Sequence, residues 1–171
     1  MSYVVRVGVV ALGAVVVMAA VSGGRAVAQS GDLPNPYESI LDWAKLPQGR
    51  TWGQMAALDI DSHGNIWAVE RCGGITCDGR PEDPVLAFGP SGAVVKTLGA
   101  GMFVFPHGIA IDTDDNVWIT DGRGVDGKGQ QVIKFGPDGE VLMRLGTAGV
   151  AGEGSDTLNG PSDVAVAPNG D

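Results

Sequence analysis

From Met55 onward, short runs of apolar, β-branched and aromatic positions are cut by clusters of Asp, Asn, Gly and Pro. The clearest case is Pro106 to Gly122, PHGIAIDTDDNVWITDG. Ile109 and Ile111 alternate with Ala110, Asp112 to Asn116 is a polar turn, and Val117-Trp118-Ile119 is β-branched and aromatic before Asp121-Gly122 ends it. A period of two bounded by turn residues predicts a strand, a turn and a second strand. The pattern recurs in Met55 to Arg71, where Asp61, Asn65 and Trp67 fall 51 positions before Asp112, Asn116 and Trp118. Pro161 to Asp171 repeats its opening 55 positions after Pro106. A second phrase, Val85 to Gly99, aligns without a gap with Val132 to Gly146 at an offset of 47, each a strand, a Gly-Pro-x-Gly turn and another strand.

Four strands in a unit of about 50 residues, repeated, is the pattern of a β-propeller blade, because one such unit alone cannot bury its apolar face. The chain is therefore expected to be all-β, with four-stranded antiparallel blades at about 51–99 and 102–146 and an incomplete one at 159–171. Propellers close with roughly four to eight blades, so these repeats read as an N-terminal fragment of about two and a half. Residues 29–50 form a Pro- and Gly-rich lead-in that either pads the outside of the propeller or supplies a strand to it. The loops Cys72 to Pro84, Gly122 to Gly129 and Gly146 to Gly160 are the expected rim of any site.

Residues 1–28 stand apart. Arg6, the apolar run Val7 to Val21 and the small-x-small triplet Ala26-Val27-Ala28 make a secretory signal, and a 15-residue run with two glycines is shorter than the ~20 residues that span a bilayer. The expectation is an exported chain without a membrane span, periplasmic or secreted. The whole chain carries a formal charge of −9, and removal of Arg6 and Arg25 with the signal makes it −11, which argues against nucleic-acid binding. Export also makes a local disulfide the expected state of the only two cysteines, Cys72 and Cys77.

His107, between Pro106 and Gly108 where the innermost strand of its blade begins, points towards the channel as a metal ligand or general base, or is bonded structurally to a neighbouring strand. Arg71 ends a strand beside Cys72, placed to grip a carboxylate or to pair with an acid such as Glu70. His63 lies in an exposed turn. Asp59 to Glu70 spaces its acids like a calcium-binding EF-hand loop, but flanking helices are absent and His63 is a poor ligand for a hard cation. Trp67 and Trp118 read as core, and Glu70 and Asp121 as equivalent strand-end residues that form turns or cap ladders. Nucleophile-elbow, phosphate-loop and dinucleotide motifs are absent from the sequence.

The repeats resemble NHL-type propeller blades, and the run from Phe103 to Asp121, with Pro161 to Val166, resembles the peptidyl-α-hydroxyglycine α-amidating lyase family. That resemblance implies a six-bladed propeller that cleaves a peptidyl hydroxyglycine to a peptide amide and glyoxylate, using a zinc ion held by three histidines and a structural calcium. His107 then matches the first zinc histidine, Arg71 the substrate-binding arginine, and Leu58 and Ile109 the positions whose backbone carbonyls face calcium. Glu70 stands where the family has a histidine, and the remaining zinc ligands and catalytic tyrosine are expected beyond Asp171, leaving the stretch inactive by itself. The rival expectation is a non-catalytic envelope scaffold that binds a protein, peptide or glycan at the same rim. A lactonase-like metal hydrolase is a third, for which the channel-facing positions lack an acidic cluster.

Overall fold

The computed structural model describes residues 36–167, 169 and 170. The expected signal, residues 1–28, lies outside the described residues, and every strand belongs to the compact unit Ser39–Asp171. The strands are β1 (Met55–Ile60), β2 (Ile66–Glu70), β3 (Val85–Phe88), β4 (Val94–Leu98), β5 (Pro106–Ile111), β6 (Val117–Asp121), β7 (Gln131–Phe135) and β8 (Val141–Leu145). They form two four-stranded antiparallel sheets, β1-β2-β3-β4 and β5-β6-β7-β8. Each is one propeller blade, and among the described residues no helix is long and apolar enough to cross a membrane.

Both sheets use the same device at their outer edge. A Gly-Pro-x-Gly turn joins the outer pair of strands, closed by Gly92 N–H to the Gly89 carbonyl in the first blade and Gly139 N–H to the Gly136 carbonyl in the second. Gly92 and Gly139 both have positive φ, which glycine adopts without a steric cost. The two blades meet face to face through Trp67, Val69, Val85, Ala87, Leu98 and Phe103, packed with Ile109, Val117, Ile119, Ile133 and Phe135. Burying side chains of this size stabilises by about 1.5–3 kcal/mol each, and this one cluster joins the two sheets.

The lead-in pads the first blade from outside. Trp43, Ala44 and Leu46 cover Ala68, Leu86 and Phe88, and Lys45 N–H bonds the Gly92 carbonyl at 2.7 Å. A β-carbon at Gly92 would stand 1.8 Å from the Trp43 carbonyl oxygen, so glycine is required there for packing as well as for φ.

Candidate functional site

The spacing Asp-x-x-x-Asn-x-Trp has a direct structural cause. In the first blade the Asp61 carboxylate accepts hydrogen bonds from Asn65 N–H (2.9 Å), Asn65 Nδ2 (2.8 Å) and Trp67 Nε1 (2.9 Å). Asp112 does the same for Asn116 and Trp118 in the second. Each indole thus has a polar anchor that its core position alone does not suggest. Asp112 also holds Lys134 at 3.0 Å. Desolvation pushes the Asp112 carboxyl up, but the bonds from Trp118, Asn116 and Lys134 together prevail and hold it well below the ordinary range.

At the other end of the second strand of each blade is a buried carboxylate. Glu70 takes Gly53 N–H at 2.7 Å and Gly73 N–H at 2.8 Å and pairs with Arg50. Asp121 takes Val104 N–H at 2.8 Å and Phe105 N–H at 2.6 Å. Both acids therefore tie the segment that leads into the blade's first strand, fixing the loops around the rim. For Asp121 burial dominates and raises the pKa.

His107 and its neighbours sit on this frame. Pairing in β5 jumps between Pro106 and Ile109, a bulge that re-aims the residues between them. The His107 Nδ1 lies 2.7 Å from the Ser162 carbonyl oxygen. A carbonyl only accepts, so Nδ1 is the donor, and the tautomer this selects has its lone pair on Nε2. Gly108 lets this happen: a β-carbon there would stand 2.8 Å from the Ser162 carbonyl oxygen and 2.7 Å from Asp163. The close approach at Gly108 is thus made by the chain's own residues 162 and 163.

Arg71 does not pair with Glu70. Its Nη1 donates to Gln54 Oε1 at 2.5 Å and its Cζ lies 3.6 Å from the centroid of the Phe105 ring. Arg123, from the loop after β6, lies 3.9 Å from the same centroid, and the Phe105 and His107 rings are 6.2 Å apart. Burial, then the charge of Arg123, lower the proton affinity of Arg71. Arg123 had no signal in the sequence beyond lying in the rim loop Gly122 to Gly129, and Phe105 none beyond lying in the run Phe103 to Asp121.

Cys72 and Cys77 form a disulfide. The loop it closes clamps the segment leading into β5, with Cys77 N–H and the Thr76 hydroxyl both bonded to the Val104 carbonyl, at 2.9 and 2.7 Å. Ile109 is buried and Leu58 exposed, on strands β5 and β1, which pack side by side. His63 is exposed and lies 3.4 Å from Asp115, away from this cluster. Zinc takes three or four ligands. His107 offers one suitable nitrogen, and among the described residues no group of three His, Cys, Asp or Glu could hold a metal ion. The described residues thus fit one corner of a zinc site and not the whole of it.

The fold and the repeat define the class: residues 103–125 match the NHL repeat, which spans β5, β6 and the loop that carries Arg123. The particular likeness is to amidating enzymes. The chain is 34% identical over 138 residues to peptidyl-α-hydroxyglycine α-amidating lyase 1 of Drosophila melanogaster, covering 70% of this chain and 24% of that protein. It is 30% identical over 154 residues to peptidylglycine α-amidating monooxygenase of Rattus norvegicus, 77% of this chain and 15% of that one. A probable lyase of the same name from Caenorhabditis elegans is 28% identical over 137 residues, 69% of this chain and 37% of the relative. The chain thus spans between about a seventh and two fifths of the length of these relatives.

Proposed function

We propose that this chain is part of an exported NHL propeller that cleaves a peptidyl α-hydroxyglycine, giving the peptide amide and glyoxylate. The observation that carries the reading is His107, held through Nδ1 by Ser162 with Nε2 free for a metal, in one cluster with a guanidinium that lacks a carboxylate partner. A backbone acceptor on the far nitrogen is the usual way a ligating imidazole is oriented. In this reading His107 supplies one zinc ligand, and Arg71 binds the substrate carboxylate. Zinc, when bound, would stabilise the substrate hydroxyl as its alkoxide. The hydroxyl proton leaves, its oxygen becomes the carbonyl of glyoxylate, the C–N bond breaks, and the nitrogen regains a proton as the amide. The carbonyls of Leu58 and Ile109, on the adjoining strands β1 and β5, would face a structural calcium.

The test is glyoxylate release from an N-acylated peptide ending in α-hydroxyglycine, with zinc supplied, by the protein that carries this chain. Release that falls about 100-fold or more in His107→Ala, with loss of bound zinc, supports the reading. Zinc content unchanged by His107→Ala overturns the metal role, and no release from the unaltered protein overturns the activity in favour of the binding scaffold.

A further inference from the structure

The strand pair that carries His107 departs from its counterpart in the first blade at more than the histidine. At offset 51 the second strands read Ile66-Trp67-Ala68-Val69-Glu70 and Val117-Trp118-Ile119-Thr120-Asp121, so four positions keep their character and Val69 alone is answered by a hydroxyl. On the facing strand, Ala56-Ala57 is answered by His107-Gly108. In the first blade Ala57 pairs with Val69 and only Ala56 is left out of the ladder. In the second, pairing passes from Pro106 with Asp121 straight to Ile109 with Ile119, so His107, Gly108 and Thr120 all drop out of it.

A backbone N–H that leaves the ladder inside a buried sheet needs another acceptor. The Thr120 hydroxyl is that acceptor: Gly108 N–H donates to Thr120 Oγ1 at 2.7 Å, and Thr120 is buried. Val69, at the matching place, has no oxygen in its side chain to do the same. The side-chain bond thus accompanies a bulge two residues wide where the first blade has one of a single residue. On either side of Gly108 the wider bulge meets residues that follow the second blade. His107 Nδ1 lies 2.7 Å from the Ser162 carbonyl oxygen, and Gly108 stands so near that oxygen and Asp163 that a β-carbon does not fit.

We propose that Thr120 is a positioning residue for His107: its hydroxyl holds the bulge at two residues and so brings the imidazole to the Ser162 carbonyl, in the tautomer that keeps Nε2 as the ligating nitrogen. The hydrogen bond made by one ring nitrogen sets the state of the other, so an acceptor for Gly108 N–H acts on the metal-facing side of the ring through the backbone. The use of Nε2 for zinc rests on the proposed function; the positioning rests on the register and the Gly108–Thr120 bond. In the sequence Thr120 reads as an ordinary strand residue, because threonine suits a pleated, half-buried surface whatever its hydroxyl does.

The test compares Thr120→Val, which keeps the shape and removes the acceptor, with Thr120→Ser, which keeps the acceptor, in the ¹⁵N-labelled protein that carries this chain. Without metal and with the imidazole neutral, the unaltered protein and Thr120→Ser should show His107 as one Nδ1–H tautomer. Thr120→Val should show both tautomers, and Gly108 should gain the cross-strand contact to position 120 that Ala57 makes with Val69. Zinc alone, titrated and read at His107 Nε2, should bind about 10- to 100-fold more weakly to Thr120→Val, the cost of losing an outer-shell partner, and equally to Thr120→Ser. A single Nδ1–H tautomer kept in Thr120→Val, or zinc bound as tightly by it as by the unaltered protein, overturns the proposal. Loss of that tautomer in a folded Thr120→Ser overturns it too, whether or not Thr120→Val folds. Both tautomers in Thr120→Val, with no zinc taken up at His107 of the unaltered protein, uphold the positioning and remove the proposed metal role.

Discussion

The two blades are built on one pattern and stabilised differently. At offset 51, Glu70 answers Asp121, Asp61 answers Asp112, Trp67 answers Trp118 and Ala56 answers His107. Both first strands have a shift in pairing at the same place, between Met55 and Ala57 and between Pro106 and Ile109. Yet the bulge presents a methyl group in one blade and an imidazole in the other. The first blade neutralises its strand-end acid with Arg50 and stiffens its rim with a disulfide. The second leaves Asp121 with backbone donors only at its carboxylate and places its cation, Lys134, on the turn acid instead. The difference shows how a repeat keeps its frame while one copy is free to carry chemistry: the frame needs an acid at the strand end, not a given counter-charge.

The largest effect should come from separating the buried pair of the first blade. Glu70→Ala leaves Arg50 charged and unpaired and releases the N–H groups of Gly53 and Gly73, at a cost of about 3–5 kcal/mol. Urea unfolding measures it, and a loss below about 1 kcal/mol would mean that the pair is not structural. Next is the turn acid, where the blades should part. Asp112→Asn removes the charge from bonds to Lys134, Asn116 and Trp118 and costs about 3 kcal/mol, and Asp61→Asn costs less because Ala87 stands where Lys134 does in the register. Equal losses in the two variants would remove Lys134 from the explanation.

Replacing Cys72 and Cys77 together by Ser should cost about 2 kcal/mol, the chain-entropy value for so short a loop. Because that loop holds Val104, the change should also broaden the Phe105 ring resonances, and unaltered rings would separate the clamp from the site.

The smallest effect is in pH. Burial raises the pKa of Asp121, so its contribution to stability is complete below the ordinary carboxylate value of 3.8 and is lost as pH rises through the folded value. Asp112, held low, contributes in the opposite sense, above 3.8, and loses that contribution as the pH falls. Thermal midpoints of Asp121→Asn against pH should therefore lack the decline that the unaltered chain has above about pH 4, and an identical profile would show that Asp121 titrates no differently when folded.

What the amino-acid sequence determined by itself is the frame. Alternation of period two, the offsets of 51 and 47 and the turn residues specify strands, their antiparallel order and the blade, because those signals are local and the side chains involved answer to the pleat and the turn. The Cys72–Cys77 link was legible for the same reason of nearness. His107 and Arg71 could be singled out as residue types in suggestive places, but their partners could not. Ser162 comes from 55 residues further on, and Phe105 and Arg123 from the neighbouring blade's rim. The anchoring of Trp67 and Trp118 was hidden too, since an indole that is apolar in pattern donates one hydrogen bond that periodicity does not record. Tertiary structure decided that Glu70 belongs to Arg50 and that Arg71 and Arg123 share one aromatic ring without an acid. Charge pairing depends on distance in space, and each blade's twist and bulge set that distance independently of separation along the chain.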